Sequence, residues 1–338
     1  MRFEFARNPK PRKMIGFLLL LLCVPMSALA DPPPGIPDGW SSGYVYANGI
    51  RVHYYRAVPA PNRPAIVMVH GISDIGLSWT TLTWKLQDSY DIYMVDTRGH
   101  GLSDPFTVGD DRDTLVKDLV AFITAMELEK PILMGHSMGA ATVMRLGAEH
   151  PDLARAIIML DPGLGRRAPV AKTETRQGPA ATAPSRSSPA APPAAPAQPS
   201  SLDSLVIRMS GPPEVMVAQN NYSFDDLVAK CRQQTPKWDL VDCQYWALSK
   251  KQYHGVYSEE VRQAISGGMP AQEALAKITV PALILKADAS AEVRAANEEA
   301  ASVLQNGMLV HIEGGGHNLH HDELERTVEV LTEFLSTL

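Results

Sequence analysis

The five residues Gly135-His136-Ser137-Met138-Gly139 constrain this chain more than any other stretch. An apolar run at 131–134 precedes them, and a helix-like stretch at 140–149 follows. That order reads as strand, sharp turn and helix, with a serine at the apex. Glycines flanking such a turn let neighbouring backbone pass without a Cβ clash. The helix that follows aims its first amides at charge developing nearby. Between a buried strand and a helix, the Gly-x-Ser-x-Gly spacing makes Ser137 the candidate nucleophile. The bland alternative is a serine in a structural Gly-rich turn.

The rest of the chain supplies a frame for that turn. Residues 44–46 and 50–55, with Asn48-Gly49 between them, read as a hairpin. An unbroken apolar run at 65–69 and largely apolar stretches at 91–95, 156–160, 281–285 and 308–312 read as buried strands. Helical spacing or character appears at 80–86, at 113–126 and, amphipathically, at 323–335. Strands alternating with helices predict an α/β architecture with a mostly parallel, doubly wound sheet. Residues 166–201 are dominated by Ala, Pro and Ser and hold too few large apolar side chains to offset the entropy of ordering them. They read as a disordered insertion, because sheet-like sequence resumes much later. Residues 202–269 read as helical and aromatic-rich.

Charge and cysteine usage narrow the function classes. Residues 1–30 hold five Lys/Arg and one Glu, an apolar run at 14–24 and the sequence Ala28-Leu29-Ala30. A basic start, a short apolar core and an A-x-A site predict a secretory leader cleaved after Ala30, and therefore an exported protein, periplasmic or secreted. The run is too short for an ordinary membrane span, so no stable span is expected after cleavage. The remaining 308 residues carry 26 Lys/Arg against 36 Asp/Glu, a net charge of −10, which argues against a nucleic-acid partner. Two cysteines outside the leader, Cys231 and Cys243, make a short disulfide loop plausible in an oxidising compartment; the alternative is two buried thiols.

Acyl transfer by a serine needs a base, a group that holds the base, and amides that receive the oxyanion. His317 follows Gly314-Gly315-Gly316 between the last strand and the last helix, which places it at the C-terminal edge of the sheet with Ser137. It is the candidate base. Asp161 and Asp288 both follow strands and both compete as the acid. The backbone amides of Met138 and Ile72 are the candidate oxyanion donors. His320 and His321, read with His317, form a weak metal-like pattern without a matching carboxylate motif; solvent-facing histidines at a helix start are the better reading. No metal and no cofactor are expected. The stretch Asp96-Thr97-Arg98-Gly99-His100-Gly101-Leu102-Ser103-Asp104 reads as a structural Arg/Asp network below the serine turn.

Taken together, His70-Gly71, Asp96-x-Arg98-Gly-x-Gly101-x-Ser103-Asp104, the serine turn and Gly316-His317 resemble the α/β-hydrolase fold superfamily. The resemblance implies an eight-stranded sheet with a helical lid inserted after the sixth strand. The core then falls at 31–165 and 276–338, the disordered insertion at 166–201 and the helical lid at 202–275. Within the superfamily, His70-Gly71-Ile72-Ser73-Asp74 with Ser78-Trp79 looks like the corresponding stretch of N-formylmaleamate deformylase-like hydrolases. Their acid follows the sixth strand, which maps onto Asp161. More typical members carry Gly-x-x-Asp after the seventh strand; this chain has Ala287-Asp288-Ala289-Ser290 there. That departure favours Asp161. Epoxide hydrolases and haloalkane dehalogenases need a carboxylate nucleophile, where this chain has serine.

The expectation is a serine hydrolase acting on a small-molecule carboxylic ester or small amide through an acyl-enzyme on Ser137. The same triad also suits C–C bond or lactone hydrolysis, and a catalytically silent hydrolase fold used for binding is the reading from another class. The aromatic lid fits a partly apolar substrate, or simply the lid's own core. Oligomeric state is not legible.

Overall fold

The computed structural model describes residues 34–165, 202, 205–208, 212–254, 262–263, 265 and 268–338. The expected leader and the Ala/Pro/Ser-rich segment 166–201 lie outside the described residues. The hairpin is β1 (Ser41–Ala47) and β2 (Ile50–Arg56). Asn48 (φ 45°) and Gly49 (φ 81°) both take left-handed conformations at its tip, as a two-residue turn between right-twisted strands requires. The chain continues through β3 (Ala65–Val69), α1 (Thr80–Leu86), β4 (Asp91–Val95), α2 (Arg112–Ala125), β5 (Ile132–His136), α3 (Met138–Glu149) and β6 (Ala156–Leu160). After β6 the described residues include α4 (Pro213–Asn220), α5 (Phe224–Gln234), α6 (Leu240–Gln252) and α7 (Ala271–Lys277). The fold closes with β7 (Ala282–Lys286), α8 (Ala291–Ala301), β8 (Gly307–His311), α9 (Leu319–Asp322) and α10 (Leu324–Leu335).

The eight strands form one sheet in the order β1-β2-β4-β3-β5-β6-β7-β8. The β1–β2 and β2–β4 pairs are antiparallel, and every pair from β4 through β3 to β8 is parallel. Alternation along each strand divides the core between two faces. Val67, Leu133, Ile157 and Ile284 pack toward α2, α3 and α7, while Ile66, Ile132, Ile158 and Leu283 pack toward α1 and α10. All eight are at most 1% exposed, so each adds roughly 1.5–3 kcal/mol relative to an exposed side chain. Because β3 to β8 run parallel, their C-terminal ends lie at one edge, the place where α/β folds build sites. Among the described residues, no helix is long and apolar enough to cross a membrane.

The inserted helices dock on that edge through buried polar groups. Cys231 of α5 and Cys243 of α6 form a disulfide, with Cα atoms 5.5 Å apart. Trp238 and Trp246 pack around it, so part of the lid's aromatic content fills its own core. From α6, Lys250 donates to the Ser73 carbonyl (2.7 Å) and hydroxyl (3.1 Å) and lies 3.8 Å from Asp74. Burial pulls the Lys250 ammonium below its ordinary value, against the attraction of Asp74. Also on α6, Asp242 accepts from the Thr81 hydroxyl (2.9 Å) and pairs with His321 (3.2 Å).

Candidate active site

Ser137 stands between β5 and α3 with φ 52° and ψ −109°, a strained conformation for a residue with a side chain. Close packing holds it there. A Cβ at Gly139 would lie 2.0 Å from the Val69 carbonyl oxygen, and one at Gly135 would lie 2.3 Å from the Gly139 carbonyl oxygen. Both positions therefore require glycine for close approach. The Ser137 amide is tied to the Leu160 carbonyl at 3.0 Å.

His317 meets both of its expected partners. Its Nε2 lies 2.9 Å from Ser137 Oγ and its Nδ1 lies 2.6 Å from Asp161 Oδ2. The other Asp161 oxygen takes the Lys286 ammonium at 2.5 Å and the Ala287 amide at 3.2 Å. Burial alone would raise the Asp161 carboxyl; the hydrogen bond from His317, the Lys286 charge and the Ala287 amide outweigh it and hold the group well below the usual carboxylate range. The aspartate is a fixed anion behind the imidazole.

Asp288, the alternative acid, is not on His317. Its Oδ2 accepts from the Gly314 amide (2.9 Å), its Oδ1 accepts from the Ala289 amide (2.7 Å) and pairs with Arg294, and its own amide donates to the Gly315 carbonyl (2.7 Å). Its carboxylate ties down the glycine loop that carries His317. Ser290, where the typical aspartate would stand, is instead the N-cap of α8 and accepts from the Val293 amide at 3.4 Å.

The oxyanion side is set by a chain of backbone hydrogen bonds. The Thr97 amide donates to His70 Nε2 at 3.1 Å, so the His70 proton resides on Nδ1, which donates to the Gly71 carbonyl at 2.7 Å. Burial lowers the His70 imidazole and keeps it neutral in this role. Carbonyl and N–H of a trans peptide point in opposite directions, so the Ile72 amide is turned away from His70. Gly71 adjoins Ser137: a Cβ there would lie 3.4 Å from that of Ser137. The Met138 amide opens α3, where no helical carbonyl four residues back can accept it. Ile72 and Met138 share one apolar cluster with Leu115, Phe106 and Ile265.

The Asp96 stretch is structural, as expected. Asp96 accepts from the Gly76 amide (2.7 Å) and the Leu102 amide (3.0 Å) and pairs with His53 (2.8 Å), while Arg98 makes two 2.8 Å contacts with Asp118. Among the described residues, no group of three His, Cys, Asp or Glu side chains is placed to hold a metal ion.

His320 and His321 correct the sequence reading: they are buried, 2% and 6% exposed, not solvent-facing. They belong to a ring stack that had no sequence signal. Trp79 stacks on His320 at 4.8 Å, and tilted ring contacts continue from His320 to His136 at 4.8 Å and from His136 to His317 at 4.8 Å, with His321 4.1 Å from His320 and Trp238 4.4 Å beyond it. His136 Nε2 donates to the backbone carbonyl of His317 at 2.8 Å, so the residue before the serine steadies the residue opposite it.

Burial, helped by the nearby His317, lowers His136 from 6.5 to about 4. A histidine depressed in the folded state is held neutral there but protonates freely when unfolded. Its stabilising effect is complete above about pH 6.5 and is lost as pH falls toward 4, a change of roughly 3 kcal/mol. His100 and His320 are lowered in the same sense by burial. Urea titrations from pH 7 to pH 4 are expected to show a steep fall in stability, shallower in His136→Gln. A profile flat down to pH 4.5 would contradict this account.

The sequence and the fold have counterparts among known proteins. Over 135 residues the chain is 36% identical to N-formylmaleamate deformylase of Pseudomonas putida, a match covering 38% of this chain and 48% of that protein. Over 98 residues it is 33% identical to 2-(acetamidomethylene)succinate hydrolase of Mesorhizobium japonicum, covering 29% of this chain and 35% of that protein. The chain thus spans about half or less of the length of these curated relatives. The crystal structure of an N-formylmaleamic acid deformylase from Pseudomonas putida shares the fold, with a TM-score of 0.61 at 22% identity, covering 86% of this chain and 100% of that one. The sequence model of the alpha/beta hydrolase family matches residues 66–330, from β3 through the serine turn and the His317 loop to α10, and the chain belongs to that family.

Proposed function

We propose that this hydrolase cleaves a carboxylic ester or small amide through an acyl-enzyme on Ser137. The observation that carries the reading is the single imidazole bridging Ser137 Oγ at 2.9 Å and Asp161 at 2.6 Å. Ser137 Oγ attacks the carbonyl carbon while its proton passes to His317 Nε2. The developing oxyanion rests on the amides of Met138 and Ile72. Collapse of the tetrahedral intermediate breaks the bond to the leaving group, which takes the proton from His317. Water then gives a proton to His317 Nε2, attacks the acyl carbon and releases the acid, returning the proton to Ser137. Asp161 keeps the second imidazole proton on Nδ1 and stabilises the imidazolium. The names of the two curated relatives, a deformylase and an acetamidomethylene hydrolase, support including amides among the substrates. We also propose that the protein works after export; the Cys231–Cys243 disulfide supports an oxidising compartment.

Labelling with a fluorophosphonate tests the nucleophile without knowledge of the substrate. The expected result is an adduct on the Ser137 peptide, absent from Ser137→Ala. Folded protein that takes no label at Ser137 would sink the proposal.

A further inference from the structure

We infer that the disulfide-closed lid segment 231–243 is a positioning element for His317, holding the base in place from outside the core through Trp238 and Asp322. The inference rests on the triad reading above.

His317 is carried by three consecutive glycines, Gly314 to Gly316, a run with the greatest backbone freedom the chain can offer. Bonds from elsewhere must hold it. The core supplies Asp288 on Gly314 and His136 on the His317 carbonyl. The core also supplies Asp322 of α9, and the lid reaches the loop mainly through that carboxylate. Asp322 divides its two oxygens: Oδ2 accepts from the Gly316 amide at 2.9 Å, directly before His317, and Oδ1 accepts from Trp238 Nε1 of the lid at 2.8 Å. Gly316 and Asp322 are so close that a Cβ at Gly316 would lie 2.8 Å from that oxygen. Lys237 adds a bond to the Gly314 carbonyl at 3.4 Å and an ion pair with Glu323, both exposed and therefore weak. Trp238 is 9% exposed and its N–H bond is partly buried, unlike the two exposed Lys237 contacts.

The covalent tie lies behind this contact. Cys231 and Cys243 bracket Lys237, Trp238 and Asp242, the residues that reach the 314–323 stretch. The sulfurs sit in the cluster that packs Trp238, and the two cysteines are 2% and 0% exposed. The closed loop fixes where the indole N–H is presented, and the indole fixes Asp322 and hence Gly316. Full activity then requires the oxidised lid.

Fluorophosphonate labelling rate at Ser137 reads the competence of His317 directly. Trp238→Phe keeps the ring against His321 but removes the N–H, and Asp322→Ala removes both bonds. Each is expected to label about tenfold or more slowly, since small displacements of a catalytic group are costly in rate. Cys231→Ala with Cys243→Ala is expected to behave likewise, and Asp322→Asn, which keeps an acceptor, to recover part of the loss. With p-nitrophenyl acetate, kcat should fall while KM stays within about twofold, the pattern of an interaction used in the transition state. Thermal melting of the single variants should change little. If wild type labels and both Trp238→Phe and Asp322→Ala label at the wild-type rate, the inference is overturned. A raised KM with unchanged kcat overturns it too, because the segment would then only shape the pocket. Should the double cysteine variant fail to fold, the two single variants decide. Failure of wild type to label would instead strike the triad reading.

Discussion

Replacing Ser137 or His317 by alanine is expected to lower kcat by about six orders of magnitude, and replacing both to lower it no further. The reason lies in the geometry. Oγ and Nε2 are 2.9 Å apart, and in the proposed reaction they exchange one proton, so neither would do useful chemistry without the other. Alanine at 137 leaves no nucleophile. Alanine at 317 leaves a serine hydroxyl with no acceptor for its proton and a leaving group with no donor. Binding should survive in both, because the amides of Met138 and Ile72 belong to the backbone. Residual catalysis above the uncatalysed rate is expected from them. Active-site variants measured against a hydrolysed ester, with the double variant alongside, check this. Additive losses would show that the two side chains act separately, and ordinary turnover by Ser137→Ala would remove the acyl-enzyme from the mechanism.

What could be read from the sequence is what local pattern encodes. The strands at 91–95 and 156–160 coincide with β4 and β6 because runs buried on both faces leave no ambiguity of face. The serine turn was legible because two glycines are forced by backbone contacts, the kind of demand that leaves a spacing behind. Helix α8 was not legible: Ala300 is its buried residue, and a helix lying on the surface with so small a core face shows no apolar period. The histidine stack was hidden for a different reason. His136, His320 and His321 are polar by composition, and only the approach of α6 with Asp242 and of the serine turn makes their positions buried. The same holds for Lys250, which looks like a solvated lid residue until Ser73 is folded against it. The choice of acid sat between these cases. Both aspartates end strands, and chain order alone does not say which carboxylate turns inward.

Asp161→Asn is expected to lower kcat by about four orders of magnitude, whereas Asp288→Asn costs no more than about tenfold. Asparagine at 161 can still accept from Lys286 and Ala287 with its oxygen, so the fold around it should hold. Its amide group would face His317 Nδ1 as a donor and force the imidazole proton onto Nε2. That nitrogen could then no longer accept from Ser137. The loss is expected in kcat, with KM little changed, because Nδ1 and Asp161 face each other on the side of the imidazole away from Ser137 Oγ. Asp288 faces the other side of the same loop. Asparagine there keeps one acceptor for the Gly314 amide and gives up the Ala289 amide bond and the ion pair with Arg294, exposed contacts of small value. The effect should reach His317 only as a looser glycine loop. A reversal of the two phenotypes would return the acid to the position after the seventh strand. Equal and small effects would mean that His317 is held by neither carboxylate during turnover, leaving His136 and the lid to fix its orientation.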